Sequence, residues 1–300
     1  MRIKAIINPV SGRKVIQNNA KKVLNKMTCE GAECDIYYTT EKGDGFKEAC
    51  KLKKDEYDLV MAVGGDGTLH EVVNGVISSG CDIPLSIMPA GTVNDFGYFL
   101  HIPYTVSSYC KMIKDFYVRE IDVGKVGNEY FLNVFAIGLL TEVPHKVPQE
   151  QKNIFGKLAY YATGTIEVPA NIFSSNLLEI EHDDETVIED AFLLIVTNSS
   201  SVGGFRKLAP MASIADGFLD VCIVRKISWD ILLPLLFSFM KGEHINSPNV
   251  SYFQTSKISI KEFNESKDTV FDMDGEMSGV LPAIVEVCPK ALKILISEQT

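Results

Sequence analysis

Several features that define other protein classes are missing from this chain. Its 300 residues contain no G-x-x-x-x-G-K-[ST] motif, which excludes a Walker P-loop. Lys and Arg number 29 against 39 Asp and Glu, and the net charge of −10 argues against a nucleic-acid partner. The most apolar helix candidate, residues 231–240, is far shorter than the about 20 residues that span a bilayer. We therefore expect no transmembrane segment.

The cysteines and the first residues of the chain also disfavour some protein classes. The seven cysteines are scattered, odd in number and never spaced as C-x-x-C. We interpret them as reduced thiols in a reducing compartment, which disfavours a zinc site. Met1-Arg2-Ile3-Lys4 leads straight into a strand-like segment, so we expect no signal peptide and a cytoplasmic location. With 46% hydrophobic and 23% charged residues, the chain has an ordinary globular composition and the length for two cores.

The hydrophobic pattern divides the chain in two. Up to about residue 121, strand-like and helix-like segments alternate, which predicts an α/β domain whose parallel sheet carries helices on both faces. Residues 122–290 are mostly strand-like and predict a β-sandwich domain, with helices at 229–240 and around 156–166 and a surface loop at 141–152. Residues 291–300 can return to the first domain.

The most informative segment is the turn Gly64-Gly-Asp-Gly-Thr68, between an apolar strand and a helix. Glycine has no Cβ, so backbone N–H groups there can approach an anion closely. Thr68 and Glu71 have the spacing of a capping box, which predicts that the helix begins at Thr68. Because helix N-termini favour negative charge, this turn is a candidate phosphate site.

A second glycine turn, Pro89-Ala-Gly-Thr-Val-Asn-Asp95, follows the next strand, and Thr92 can cap the helix after it. In open α/β sheets, ligands bind outside the carboxyl ends of the strands. Asn8-Pro9 and both glycine turns lie at such ends, so we expect them to converge. Asp66 and Asp95 would repel a phosphate unless a divalent cation lay between them, which predicts Mg²⁺ with a nucleotide.

Two acidic turns lie further along the chain. Asp272-Met-Asp-Gly-Glu276 is either a hairpin turn or a source of two acids, Asp274 and Glu276, one of which accepts a proton from a substrate hydroxyl. Asp216-Gly-Phe-Leu-Asp220 is either a turn or an oxygen-ligand site for a hard cation.

Two metal and cofactor motifs are incomplete. Gly65-Asp-Gly67 lacks the third glycine of G-x-G-x-x-G, and His70-Glu71 lacks the second histidine of H-E-x-x-H. A Rossmann dinucleotide site and a zinc protease are therefore disfavoured.

Together, the motifs resemble the diacylglycerol kinase catalytic-domain family, especially its bacterial soluble lipid kinases. The resemblance spans nearly the whole chain, whereas Gly-Gly-Asp-Gly-Thr alone also occurs in NAD kinases and phosphofructokinases. The segments that carry it are Asn8–Gly12, Thr39-Thr40, Gly64–Thr68, Glu71–Gly75, Pro89–Phe96, Asn133–Gly138, Asp216–Asp220, Gly242–His244 and Asp274–Glu276.

The resemblance implies ATP-dependent phosphorylation of a lipid hydroxyl, in a cleft between an α/β domain and a β-sandwich. It implies Glu276, with Asp274 beside it, as proton acceptor, although related sphingosine kinases suggest Asp66 instead. A structural Mg²⁺ would be held by Asp216 and the carbonyls of Ser213 and Phe218. The residues implied to hold the nucleotide are Asn8, Pro9, Ser11, Gly12, Thr40, Gly64, Gly65, Asp66, Gly67, Thr68, Glu71, Gly91, Thr92 and Asp95.

The sequence also permits two other functional hypotheses. A kinase of the same superfamily acting on NAD or another soluble substrate would carry a similar glycine turn. A non-catalytic nucleotide- or lipid-binding regulator is the other hypothesis. The acidic residue is intact at every motif position, which argues against it. One departure from the family is Gly242-Glu-His244, where Gly-Lys-His is more usual. We expect peripheral, transient contact with a membrane surface that holds the lipid substrate, and a homodimer through an edge strand is possible.

Overall fold

A computed structural model describes residues 1–11, 14–90, 94–138, 174–264 and 268–298. The chain folds into two compact units, residues 1–123 with 289–300, and residues 124–288. The helix predicted around 156–166, the loop at 141–152 and the candidate site residues Gly12, Gly91 and Thr92 lie outside the described residues.

The helices and strands of the first unit alternate along the chain, as predicted. They are β1 (Arg2–Ile7), α1 (Lys14–Cys29), β2 (Glu33–Tyr38), α2 (Asp44–Ala49), β3 (Leu59–Gly64), α3 (Asp66–Ser79), β4 (Leu85–Pro89), α4 (Asp95–Phe99) and α5 (Val106–Asp115).

The first unit is built on a parallel sheet of order β4-β3-β1-β2. Strand β3 is buried at every position, because helices cover both faces and a central parallel strand meets no water. Helix α1 packs against α5, and α2 packs against α3. The predicted α/β organisation is confirmed here.

Two helices of this unit differ from their predicted bounds. Helix α3 begins at Asp66 rather than Thr68, because Gly65 already supplies the extended N-cap conformation, with φ −83° and ψ −175°. The sequence pattern predicts a helix at residues 46–54, whereas α2 spans Asp44–Ala49. The pattern also predicts a helix near residues 105–116, and Thr105 indeed caps α5 by accepting a hydrogen bond from the backbone N–H of Ser108.

The remaining elements run from the boundary of the first unit through the second. They are β5 (Tyr117–Val126), β6 (Glu129–Phe131), β7 (Val134–Gly138), β8 (Asn176–His182), β9 (Glu185–Thr197), β10 (Leu219–Arg225), α6 (Trp229–Lys241), β11 (Val250–Thr255), β12 (Lys257–Glu262), β13 (Val270–Met273), β14 (Glu276–Val280) and β15 (Ala283–Ile296).

In the second unit, antiparallel strands follow one another in the order β14-β13-β7-β9-β8-β12-β15, and β10 joins β9 to β11. Strand β9 buries alternate residues in two clusters, with Leu193 and Ile195 in one and Leu194 and Val196 in the other. The first cluster includes Leu232, Leu235 and Phe239 of α6, so this helix covers one face of the sheet. Among the described residues, no helix is long and apolar enough to cross a bilayer.

The hydrophobic pattern predicts single strands at 130–137 and 251–261 and separate strands at 283–288 and 292–296. The first two predictions are wrong, because 130–137 is divided into β6 and β7, and 251–261 into β11 and β12. Conversely, the runs 283–288 and 292–296 form one continuous strand, β15. Its first part pairs with β12, and Ile294 near its end pairs in parallel with Leu85 of β4. Period-2 patterning locates strands but does not show where a long-range contact interrupts or joins them.

Candidate active site

The turn after β3 is compact because Gly64 has no side chain. A Cβ added to Gly64 would lie 2.4 Å from Cβ and 2.5 Å from Oγ1 of Thr68. Thr68 is itself buried in the first turn of α3. This close approach lets the strand pass into the helix through Gly65 alone, so the N-terminus of α3 lies directly at the strand end. Such a terminus carries unsatisfied N–H donors that suit a phosphate group.

Asn8 connects this turn to the loop after β1. Its side-chain Nδ2 donates to Thr68 Oγ1 at 3.0 Å, and its Oδ1 accepts from the backbone N–H groups of Val10 and Ser11 at 3.0 and 3.2 Å. Its own N–H donates to the carbonyl of Val63 at 2.9 Å. The structure therefore brings together Asn8, Pro9, Ser11 and the Gly64–Thr68 turn, as the sequence predicts for strand ends.

A Gly64→Ala substitution is expected to disrupt this junction. The new Cβ must displace buried Thr68 and the start of α3, which typically costs about 1–3 kcal/mol of stability. It also moves the helix N-terminus, so we expect weaker binding of an ATP analogue even at temperatures where the variant is fully folded. Calorimetry and nucleotide titration check both effects, with Ser78→Ala, an exposed change on the same helix, as control. Unchanged binding by a folded Gly64→Ala protein would contradict the assignment.

The loop that carries Thr40 is organised by Asp44, a residue that sequence reasoning missed. Oδ2 of Asp44 accepts from Thr40 N at 2.8 Å, from Thr40 Oγ1 at 2.7 Å and from Glu41 N at 3.1 Å. The Thr40 hydroxyl, followed by these backbone N–H groups, lowers the pKa of Asp44. The available signal was an aspartate four residues after a threonine, between Gly43 and Gly45.

Glu71 does not form the predicted capping box. Its Oε1 accepts from Gly43 N at 2.7 Å and its Oε2 from Gly45 N at 3.0 Å. Helix α3 has no side-chain hydrogen bond at its N-cap, which is Gly65. The capping-box prediction is therefore wrong, because the Glu71 carboxylate binds the start of α2.

The two other acids of the nucleotide prediction begin helices. Asp66 is exposed in the first turn of α3, and Asp95 is buried, at 8% exposure, as the first residue of α4. Asn94 before it has a positive φ of 51°. Gly65 and Gly67 lie in the same turn as Asp66.

In the second unit, Asp274 and Gly275 form the two-residue hairpin turn between β13 and β14. Both have positive φ, 52° and 85°, and Met273 pairs with Glu276 across the turn. The hairpin interpretation of this segment is thus confirmed.

The Asp274 carboxylate accepts three backbone hydrogen bonds within the second unit. Its oxygens lie 2.9 Å from Leu132 N, 2.9 Å from Asn133 N and 3.0 Å from Val134 N. These bonds divert the backbone between β6 and β7 and explain why the predicted strand is broken there. Asp274 therefore anchors the hairpin, whose second strand begins at Glu276.

A buried polar cluster beside this anchor was not found from the sequence. Asn133 donates through Nδ2 to the carbonyl of Ser201 at 3.0 Å and accepts from Ser199 Oγ at 2.5 Å, while Thr197 Oγ1 donates to the Asn133 carbonyl at 2.8 Å. These side chains are almost fully buried. The run Thr-Asn-Ser-Ser-Ser at the end of β9 is the signal that could have identified it.

The two acids of the Asp216–Asp220 turn have different surroundings. Asp216 is exposed, and its Oδ1 accepts from Phe218 N at 3.1 Å. Asp220 is buried, accepts from the Tyr252 hydroxyl and lies 3.3 Å from Gln254 Nε2; burial raises its pKa. One carboxylate with the carbonyls of Ser213 and Phe218 is a hard oxygen donor set, which fits Mg²⁺. Within the described part of the chain, no cluster of three or more His, Cys, Asp or Glu side chains could hold a metal.

His244, in the segment that departs from Gly-Lys-His, is fully buried. Its Nε2 donates to the Leu208 carbonyl at 2.8 Å, and its ring stacks on Phe239 with centroids 4.1 Å apart. Burial lowers its pKa. His244 therefore anchors the end of α6, whereas Glu243 before it is exposed.

Replacing His244 with glutamine is expected to reduce the pH dependence of stability. The folded protein keeps His244 neutral, while the unfolded chain takes up a proton near pH 6.5, its usual pKa. Wild-type stability therefore falls as the pH drops below about 6.5, by no more than about 1.4 kcal/mol per pH unit for one proton. Urea unfolding at pH 7.5 and 5.5 measures this. The difference in unfolding free energy between wild type and His244→Gln should be smaller at pH 5.5 than at pH 7.5. An equal difference at both pH values would contradict the prediction.

Comparisons with known proteins agree with the motif pattern. Residues 2–126 match the family model described as the diacylglycerol kinase catalytic domain. Residues 135–296 match the model of the YegS C-terminal NAD kinase beta sandwich-like domain. The predicted fold class, an α/β domain followed by a β-sandwich, is confirmed.

Individual relatives cover nearly the whole chain. A diacylglycerol kinase of Staphylococcus haemolyticus (strain JCSC1435) is 37% identical over 278 residues, 93% of this chain and 83% of that protein. One from Bacillus subtilis (strain 168) is 35% identical over 94% of this chain and 91% of its own length. A crystal structure of a candidate diacylglycerol kinase from Bacillus anthracis str. Sterne superposes with a TM-score of 0.84 at 26% identity, covering 100% of this chain and 98% of that one. The chain belongs to the diacylglycerol kinase catalytic-domain family.

Proposed function

We propose that this protein is a lipid kinase that transfers the γ-phosphoryl group of ATP to the hydroxyl of diacylglycerol or a related lipid. The observation that carries the proposal is the Gly64–Thr68 turn at the N-terminus of α3, joined to the loop after β1 through Asn8. A strand end, a glycine without Cβ and a helix N-terminus together suit a triphosphate. The kinase relatives named above, 37% and 35% identical, support the choice of reaction.

In the proposed reaction, the lipid hydroxyl oxygen attacks the γ-phosphorus and the bond to the β–γ bridging oxygen breaks, which leaves ADP. The hydroxyl proton passes to the carboxylate of Glu276. We assign the base to Glu276 because the oxygens of Asp274 already accept three backbone hydrogen bonds. Asp66 is the alternative base.

Residues of the first unit are proposed to hold ATP. Backbone N–H groups at the start of α3 face the phosphates, the loop of Asn8, Pro9 and Ser11 lies beside them, and Thr40 and Thr92 complete the site. Mg²⁺ supplies charge neutralisation when bound with the nucleotide, and Asp66 and Asp95 have the oxygen ligands that it prefers. A second, structural Mg²⁺ is proposed at Asp216 with the carbonyls of Ser213 and Phe218.

The substrate is proposed to be met at a membrane surface through peripheral contact. Incubation with γ-labelled ATP, Mg²⁺ and mixed micelles that each contain one lipid tests this. The panel consists of diacylglycerol, phosphatidylglycerol, undecaprenol and a sphingoid base, with NAD as the soluble substrate. We expect label in the organic phase with diacylglycerol. Label only in aqueous product would favour a soluble-substrate kinase, and no transfer to any substrate would favour a non-catalytic regulator.

A further inference from the structure

We propose that Glu71 is a positioning residue, whose carboxylate fixes the Thr40 loop to α3 and does not bind the nucleotide or a metal. The proposal rests on the proposed function, because it concerns how the ATP site is assembled. It departs from the role that the sequence resemblance implies, in which Glu71 contacts the nucleotide.

Both oxygens of Glu71 are engaged with backbone donors of one short segment. Oε1 lies 2.7 Å from Gly43 N, and Oε2 lies 3.0 Å from Gly45 N. Hydrogen bonds to an ionised carboxylate are stronger than those between neutral groups. A two-oxygen clamp of this kind fixes both the position and the direction of the segment. Because each oxygen already accepts a close N–H, ligating Mg²⁺ would compete with the contacts that hold α2 in place.

Close packing of α2 on α3 supports the clamp independently. A Cβ on Gly45 would lie 2.9 Å from Glu71 Oε2 and 3.2 Å from Glu71 Cβ. On the other helix, a Cβ on Gly75 would lie 2.5 Å from Ala49 Cβ and 2.7 Å from the Phe46 carbonyl oxygen. One glycine on each helix therefore permits a contact too close for any side chain. The two helices form one rigid piece at this point.

Asp44 extends the clamp to Thr40. Asp44 lies between Gly43 and Gly45 and accepts both the N–H and the hydroxyl proton of Thr40. Since the hydroxyl has a single proton, donated to Asp44, Thr40 Oγ1 presents only lone pairs to a ligand. Glu71 thus sets where Thr40 lies relative to the Gly64–Thr68 turn, and Asp44 sets how its hydroxyl points.

Glu71→Gln in the full-length protein is the test. The glutamine oxygen can still accept one N–H, but its amide nitrogen faces the other N–H and cannot accept. We expect faster hydrogen exchange at Gly43 and Gly45 without nucleotide, a roughly 10-fold weaker ATP affinity and little change in kcat at saturating ATP. The Mg²⁺ concentration for half-maximal activity should stay at the wild-type value. If Glu71 were instead a ligand of Mg²⁺, this concentration would rise in the variant.

A second variant and a control make the test decisive. Gly45→Ala keeps the Glu71 carboxylate in the protein but displaces it, because the new Cβ would lie 2.9 Å from Oε2. It should therefore reproduce the loss of ATP affinity. Combined with Glu71→Gln it should add little, because both changes break the same contact. Ser78→Ala, exposed on α3, should match wild type in every readout.

The outcomes separate this inference from the proposed function. Wild-type exchange at Gly43 and Gly45 in Glu71→Gln, or a raised Mg²⁺ requirement with kcat lost, would overturn the positioning role. Exchange is measured without nucleotide, so it reports on the clamp even if the wild-type protein transfers no phosphate. Failure of wild type to bind ATP or to label any lipid would instead overturn the proposed function.

Discussion

Glu276→Gln is expected to lower kcat by about 10²–10⁴-fold, the usual contribution of a general base. Glutamine keeps the shape of the side chain but cannot take up the proton of the attacking hydroxyl. Since Glu276 begins β14 and its backbone pairing with Met273 does not depend on the carboxylate, the thermal midpoint and the affinity for ATP should remain near wild type. Steady-state assays at saturating ATP and lipid, with calorimetry on the same samples, measure both.

Asp66→Asn is the matched comparison for Glu276→Gln, because it removes the alternative base. If Glu276 is the base, kcat of Glu276→Gln falls with little change in KM for ATP, while Asp66→Asn raises the Mg²⁺ and ATP requirements. A Glu276→Gln protein with normal turnover, beside an Asp66→Asn protein that loses about 10²-fold or more in kcat, would move the base to the first unit.

Asp274→Ala is expected to destabilise the protein by roughly 2–4 kcal/mol, since three backbone N–H groups lose their acceptor. Activity should fall with stability, because the hairpin that presents Glu276 is no longer fixed to the backbone between β6 and β7. Asp274→Asn should be milder, as one amide oxygen can still accept the two bonds now made by Oδ1. Urea unfolding and turnover of both variants provide the comparison.

The contrast between the two hairpin acids is the informative result. Asp274 variants should lose stability together with rate, whereas Glu276→Gln should lose rate alone. An Asp274→Asn protein with wild-type stability and the same loss of kcat as Glu276→Gln would make Asp274 a catalytic base rather than an anchor.

Local sequence patterns predicted the parts of this fold that depend on neighbouring residues. The apolar run of β3, the glycines after it and the helix periodicity placed the Gly64–Thr68 turn between a strand and a helix. The same local pattern misplaced the helix start by two residues. It treated Thr68 as the cap, whereas Gly65 adopts the capping conformation without a side-chain bond.

Contacts between distant residues account for what was missed. Glu71 binds amides 26 and 28 residues earlier in the chain, so a local capping box was the wrong interpretation of its spacing. Asp274 binds amides 140 to 142 residues earlier, and this interrupts a strand that reads as continuous. The residues that bind these two carboxylates cannot be identified from their side chains, because they bind through backbone N–H groups that every non-proline residue has.

The central claim is that the strand–glycine–helix junction of the first unit holds the phosphates of ATP. A crystal structure with a non-hydrolysable ATP analogue and Mg²⁺ measures this most directly. The account predicts β- and γ-phosphate oxygens within hydrogen-bonding distance, about 2.7–3.2 Å, of backbone nitrogens between Gly65 and Thr68. A triphosphate bound elsewhere, with this turn in contact only with solvent, would contradict it.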